Sequence, residues 1–129
     1  MINANDTATY NTVRIVILRW FTDGDPTASD VFQSSVSTLI RPLSPLSIPN
    51  SKHIHVLYDN MFQVSKASGV EIGALAVDKI YIKLGGNANW QYNTTTNEKG
   101  NVYMVAISDS AAVDAPELSF ISRLRYTDP

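Results

Sequence analysis

The sequence contains no cysteine and few charged residues. Without cysteine, neither a disulfide nor a thiolate-based zinc site can form. Charged residues make up 17% of the 129 residues, and ten Lys and Arg stand against twelve Asp and Glu, for a formal net charge of -2. This balance does not attract nucleic acid by bulk charge. The length predicts a single domain over residues 1–129, large enough to bury a core.

Long apolar runs are also missing. The longest aliphatic run, residues 15–18, is far below the roughly 20 residues that a membrane helix needs. The first residues have neither the basic nor the apolar region of a signal peptide, so we expect no membrane partner. Sequons at Asn5 and Asn93 lie in Asn/Thr-rich segments, where such matches arise by chance, and glycosylation at Asn93 stays open.

The most strand-like stretch is residues 12–21, where β-branched side chains dominate the first half. Period-2 alternation gives two mainly apolar faces, Val13, Ile15 and Ile17 against Val16, Leu18 and Trp20. We therefore predict a strand in the middle of a sheet, covered on both sides. Arg14 and Arg19 lie near its ends, where long side chains can reach water.

Further strands are predicted downstream: residues 52–59 (extended past a kink by 61–64), 78–84, 101–108 and 118–126. In the first of these, Ile54, Val56 and Tyr58 should share an apolar face. Residues 1–11 are expected to form a turn, and residues 27–32 one helical turn capped by Thr27 or Ser29. The Ser- and Pro-rich residues 33–51, with room for a short strand at 36–40, should pack over another surface or serve function.

Alternation is clearest in residues 78–84, where we predict Ile80, Ile82 and Leu84 to be buried and Lys79 and Lys83 to be exposed. In all, about six or seven strands separated by long loops, with no long helix, are expected from these patterns. Such a pattern is typical of an all-β protein, and we predict an antiparallel β-sandwich of the jelly-roll type.

Catalytic and metal-binding motifs are weak. His53 and His55 could share a strand face and ligate a metal, but a solvated or interface face is the favoured interpretation. No nucleophile, base and orienting group can be placed together, and no phosphate-binding glycine motif is present. We therefore expect no active site, no metal and no cofactor.

Basic and aromatic residues are the remaining candidates for binding. Lys79, Tyr81 and Lys83 form a basic-aromatic-basic stripe, and Arg123 and Arg125 form a second basic pair. Such groups could contact a phosphate backbone or a stacked base, although an ordinary polar sheet face is the commoner explanation. Trp90 and Tyr92, in the polar loop 87–99, are candidates for contacts between subunits; stacking on a sugar or covering the end of a sandwich are the alternatives.

Four segments occur together in a characteristic order: residues 13–17 with a following Asp23, residues 55–59, residues 100–105 and residues 122–128. The last, Ser-Arg-Leu-Arg-Tyr-Thr-Asp, is the most specific. In this order the segments resemble the capsid proteins of circular, replication-initiator-encoding single-stranded DNA viruses, the circovirus-like group. The resemblance covers residues 12–128.

The resemblance implies a jelly roll that self-associates into an icosahedral shell enclosing single-stranded DNA, located in the virion. Contacts between copies would come from sheet edges and from the loops 33–51, 65–76 and 87–99. The family's basic N-terminal arm, which contacts the genome, and the strand after it have no counterpart here, so genome binding by an arm is assigned to no residue. Alternatives from the residues alone are a carbohydrate-binding β-sandwich using Tyr81, Trp90 and Tyr92 and, less favoured, a hydrolase.

Overall fold

A computed structural model describes residues 2–3, 10–33, 40–65, 75–76, 78–84, 100–109, 117–123 and 125. These residues are mostly strand with little helix. The strands are β1 (Ile2–Asn3), β2 (Tyr10–Trp20), β3 (Ile54–Ser65), β4 (Leu75–Ala76), β5 (Asn101–Ser108) and β6 (Glu117–Leu118). One helical turn, α1 (Ala28–Val31), follows β2, and a 3-10 turn (Ser51–His53) precedes β3.

The strands form two three-stranded sheets, ordered β4-β1-β6 and β3-β2-β5, and all pairings are antiparallel. The larger sheet has β2 at its centre, as predicted for residues 12–21. β5 coincides with the predicted strand 101–108. The expected turn over residues 1–11 is partly wrong, because β1 occupies residues 2–3 and β2 begins at Tyr10.

Both faces of β2 are covered, which confirms the prediction of a two-sided strand. On one face, Val13 and Ile15 pack with Val64 of β3, and Leu118 of β6 lies against this cluster. On the other face, Val16, Leu18 and Trp20 pack with Val31 and Phe32, and half-buried side chains of residues 40–46 complete the cover. Because the apolar groups of β2 lose water on both sides, this strand anchors both parts of the core.

A bulge in β3 overturns the predicted face for Ile54, Val56 and Tyr58. Tyr58 lies opposite Ile17, but the next pair is Val56 with Leu18, so Leu57 has no partner on β2. One extra residue reverses the alternation along a strand. Ile54 and Val56 therefore pack with the Val16–Leu18 cluster, whereas Tyr58 packs with the Val13–Ile15 cluster. The irregularity lies at Leu57, not after residue 59 as predicted.

The connection between β2 and β3 packs over the sheet. This agrees with the prediction that residues 33–51 either pack over another surface or serve function. Thr27 is the N-cap of α1, as predicted, and its backbone N–H and hydroxyl both donate to the carboxylate of Asp30. After α1, the backbone N–H of Gln33 donates to Pro45, that of Ser47 donates to Val31, and Phe32 pairs with Leu46. The short strand predicted at 36–40 falls, except for Ile40, outside the described residues.

One predicted strand does not join a sheet in the described structure, and a second joins one only through its first residue. Residues 78–84 are not assigned to a strand, and β6 ends at Leu118, so residues 119–123 and 125 of the predicted strand 118–126 also lie outside any strand. Ile80 is 37% exposed, so its predicted burial is wrong, and Ile82 and Leu84 are half-buried. Alternation identifies which side chains could share a face, but a ladder also needs a neighbouring backbone, which local sequence does not specify.

Candidate assembly and nucleic-acid surfaces

Arg14 reaches water less than predicted, since its side chain is only 12% exposed and holds the connection between β2 and β3 against the sheet. Its Nε and Nη2 donate to the two carboxylate oxygens of Asp59 at 2.7 and 2.6 Å. Its Nη1 donates to the carbonyls of Pro42 and Ser44 at 3.0 and 2.6 Å. The guanidinium carbon also lies 5.2 Å from the ring centroid of Phe32. The hydrogen bond to Asp59 is the main cause that raises the pKa of Arg14, and burial opposes it.

The segment that Arg14 holds presents apolar side chains to solvent. A turn closes where the backbone N–H of Ser44 donates to Arg41 and the backbone N–H of Arg41 donates to the Ser44 hydroxyl. Leu43, inside this turn, is 80% exposed, and Ile48 is also exposed. Exposed apolar side chains on a segment with a fixed backbone are suited to contact with another protein.

A second tether joins β3 to residues 78–84. The phenol of Tyr58 donates to Asp78 Oδ2 at 2.8 Å and accepts from Asn60 Nδ2 at 3.2 Å. The pKa of Tyr58 is raised, chiefly by burial; the bond from Asn60 lowers it, and the bond to Asp78 raises it further. This contact fixes the start of the segment that carries the predicted nucleic-acid-binding stripe.

The stripe of Lys79, Tyr81 and Lys83 is solvent-facing. Both lysines are exposed, as predicted, and Tyr81 is 87% exposed. No ion pair joins either lysine to another residue of the described ranges. A phosphate or a stacked base could therefore reach all three side chains without displacing an internal ion pair.

The second basic pair, Arg123 and Arg125, is also exposed and follows β6. Phe120 and Ile121 precede it and expose most of their apolar surface. The structure places the two groups on separate segments, one following β4 and the other following β6.

The two histidines, which were candidates for a metal site, lie in different surroundings. His53 ends the 3-10 turn and lies edge-on to the Trp20 ring, with centroids 6.4 Å apart, whereas His55 is exposed in β3 opposite Arg19. The two histidines therefore do not share a strand face. No group of three or more His, Asp or Glu in the described ranges is arranged to hold a metal. Trp90 and Tyr92 lie outside the described residues.

One contact that joins a turn to β5 was not found from the sequence. The Tyr103 phenol donates to Asp25 Oδ1 at 3.0 Å and so ties the turn after β2 to β5. Burial is the main cause of the raised pKa of Tyr103, and the bond to Asp25 adds to it. The only local signal was the turn composition around Asp25, and that does not name a partner 78 residues away.

Comparisons with known proteins return no relationship: no family model, no curated protein and no solved structure matches this chain. None of the helices described is long and apolar enough to cross a bilayer. Any function must therefore follow from the strand order, the surfaces and the sequence resemblance.

Proposed function

We propose that this chain is a capsid subunit of a circovirus-like single-stranded DNA virus, with a jelly-roll fold and a mechanism of self-association. The observation that carries the proposal is the order of strands in the two sheets. The sequence resemblance points to the same fold from independent features, namely short motifs in a fixed order.

A jelly roll is an antiparallel ribbon of eight strands rolled into two sheets. Rolling places the third strand between the sixth and the eighth in one sheet, and the fourth strand between the fifth and the seventh in the other. If β1 is counted as the third strand, then β2 is the fourth, and β3 to β6 are the fifth to the eighth. In a jelly roll, β1 should then lie between β4 and β6, and β2 should lie between β3 and β5. That is the order found in the two sheets.

Details of the packing agree with this assignment. Leu118 of the small sheet lies against the Val13–Ile15 face of the large sheet, as two faces of a sandwich would. The long connection between β2 and β3 covers the opposite face. In this assignment, the first strand of a jelly roll would lie beside β6 and the second strand would lie beside β5.

Self-association is favoured by the surface. Leu43, Ile48, Phe120 and Ile121 are exposed apolar side chains, and a net charge of -2 gives little repulsion between copies. The expected product is a closed shell with symmetric contacts of well over about 1,000 Å² per subunit.

Sedimentation and negative-stain microscopy of the purified chain test the shell proposal. Discrete particles are expected, and a protein that stays monomeric at high concentration and moderate salt contradicts the proposal. Trp90→Ala should weaken assembly while circular dichroism shows an unchanged fold.

Binding of the enclosed genome is proposed at the exposed basic-aromatic stripe. The variant Lys79→Ala/Lys83→Ala should weaken binding of single-stranded DNA and reduce its dependence on salt, because fewer counterions are released. Lys52→Ala, an exposed lysine in the 3-10 turn, is a matched control. The double variant removes two charges and the control removes one, so an equal loss of affinity per removed charge would point to bulk charge instead.

A carbohydrate-binding β-sandwich is the second candidate, because jelly rolls also occur in lectins. The 87% exposure of Tyr81 favours it, since an open aromatic ring can stack on a sugar. Glycan-array binding by the monomer, lost in Tyr81→Ala but kept in Lys79→Ala, would support this candidate over the capsid.

A further inference from the structure

The turn after β2 contains the only Asp-Gly step in the sequence, Asp23-Gly24. Residues 22–26 belong to neither strand nor helix, and residues 23–25 are exposed. The turn is anchored at both ends, because the N–H of Phe21 donates to a backbone carbonyl at 2.9 Å and the N–H of Thr27 donates to a carboxylate at 2.8 Å. Residues 23–25 therefore form an exposed tip, where proteins most readily tolerate change.

Gly24 leaves its own backbone nitrogen unshielded. It has φ 84°, and a Cβ added there would have no atom within 4 Å. Without a side chain, glycine also has the widest freedom of backbone rotation. The Gly24 nitrogen can therefore approach the carboxyl carbon of Asp23 without displacing a neighbouring group.

We propose that Asp23 is a site of spontaneous modification, at which a succinimide formed with the nitrogen of Gly24 opens to isoaspartate. In the first step, the Gly24 nitrogen bonds to Cγ of Asp23, the nitrogen loses its proton, and one water leaves. In the second step, water adds to a ring carbonyl. Addition at the side-chain carbonyl restores aspartate, and addition at the main-chain carbonyl gives isoaspartate. The water lost is regained, so no other reactant is consumed.

The other aspartates of the described residues lack this arrangement. Asp25, in the same turn, precedes Pro26, whose nitrogen carries no hydrogen and cannot close the ring. Elsewhere the next residue has a side chain that shields its nitrogen, and in two cases that nitrogen also lies in a helix or a strand. These aspartates are Asp30 in α1, Asp59 in β3, Asp78 and Asp109.

The modification should weaken the bond between this turn and β5. In isoaspartate the main chain runs through Cβ and Cγ, so the turn becomes longer by one carbon atom. Asp25 lies two residues after Asp23 and accepts a hydrogen bond from the Tyr103 phenol at 3.0 Å. Because a longer turn moves the Asp25 carboxylate relative to β5, we expect this hydrogen bond to be strained or lost.

Ageing of the purified protein tests the site. Wild type is held in neutral buffer at physiological temperature, and an isoaspartyl methyltransferase with a labelled methyl donor measures the isoaspartate formed. Trypsin leaves Asp23 in the peptide 20–52, because proline follows Arg41. Label should accumulate in this peptide, at Asp23 by fragmentation, and stay near background in the peptides 53–66 and 67–79, each with one aspartate. Absence of label at Asp23 after prolonged ageing would overturn the proposal.

Asp23→Glu and Asp25→Glu are matched variants, since each adds one methylene to an exposed carboxylate of the same turn. The imide of glutamate is a six-membered ring that closes far more slowly, so Asp23→Glu should lose the label at position 23. Asp25→Glu leaves Asp23 and Gly24 unchanged and should keep it. Loss of label in both variants, or in neither, would contradict the assignment.

Denaturation tests the effect on β5. Ageing should lower the urea midpoint of the wild type but not that of Asp23→Glu. Tyr103→Phe lacks the hydrogen bond to Asp25, so its midpoint should fall less on ageing than that of the wild type. An equal fall in the two proteins would overturn the proposed effect on the bond to β5. Both steps occur within one chain, so these outcomes are independent of the capsid proposal.

Discussion

Arg14 and Asp59 form a two-pronged ion pair between β2 and β3, with N–O distances of 2.7 and 2.6 Å. The side chains are 12% and 28% exposed, so water screens the pair only in part. Because Arg14 also binds two carbonyls of the segment that follows α1, the pair couples the sheet to the connection that covers it.

A double-mutant cycle with Arg14→Met and Asp59→Asn should therefore show coupling. Asp59→Asn alone should lower the free energy of unfolding by about 1–3 kcal/mol, because a largely buried cation loses its charged partner. Urea denaturation of the two single variants and the double variant gives the coupling energy. Additive effects of the two substitutions would show that the pair does not contribute to stability.

Two leucines differ in burial, one lying in the core and the other at the surface. Leu18 is fully buried in β2, so Leu18→Ala should cost about 2–5 kcal/mol through lost burial and a cavity. Leu43 lies largely in solvent, and Leu43→Ala should change stability by less than about 0.5 kcal/mol. Denaturation of monomer at low concentration measures both values. A similar cost for the two would contradict the assignment of the core.

Two glycines with positive φ allow the cost of backbone strain to be distinguished from the cost of steric crowding. Gly24 has φ 84°, and a Cβ added there would have no atom within 4 Å, so Gly24→Ala should cost about 1–2 kcal/mol through backbone strain alone. At Gly100, with φ 92°, a Cβ would lie 3.1 Å from Arg19 Nη2. Displacing Arg19 weakens its bond to the Gly100 carbonyl, so Gly100→Ala should cost about 0.5–1.5 kcal/mol more. Thermal melts of both variants check the order.

Tyr58 and Tyr103 predict a loss of stability in alkali. Their pKa values are raised in the folded protein, so the folded protein binds the two phenol protons more tightly than the unfolded chain does. That contribution is complete below the unfolded phenol pKa of about 10 and is lost as the pH rises through the folded pKa. Urea midpoints measured from neutral to alkaline pH should fall less steeply in Tyr58→Phe/Tyr103→Phe than in wild type. Parallel curves would show that the phenols do not contribute.

Local sequence determined two of the strands, β2 and β5. β-branched residues and double-sided alternation identified β2 as central, and β5 was delimited at both ends. Thr27 sufficed to predict a capped turn, because capping involves only neighbouring residues. The exposure of Lys79 and Lys83 also follows from alternation and charge.

Tertiary structure decided everything that depends on a partner distant in sequence. Arg14 has the same local pattern whether it reaches water or Asp59, and only the pairing of β2 with β3 brings the two within bonding distance. Leu57 forms a bulge because two strands must match in register, so the face of Tyr58 could not be read from β3 alone. Residues 78–84 alternate like a strand yet pair with none in the described structure, since a ladder needs a second backbone as well as a pattern.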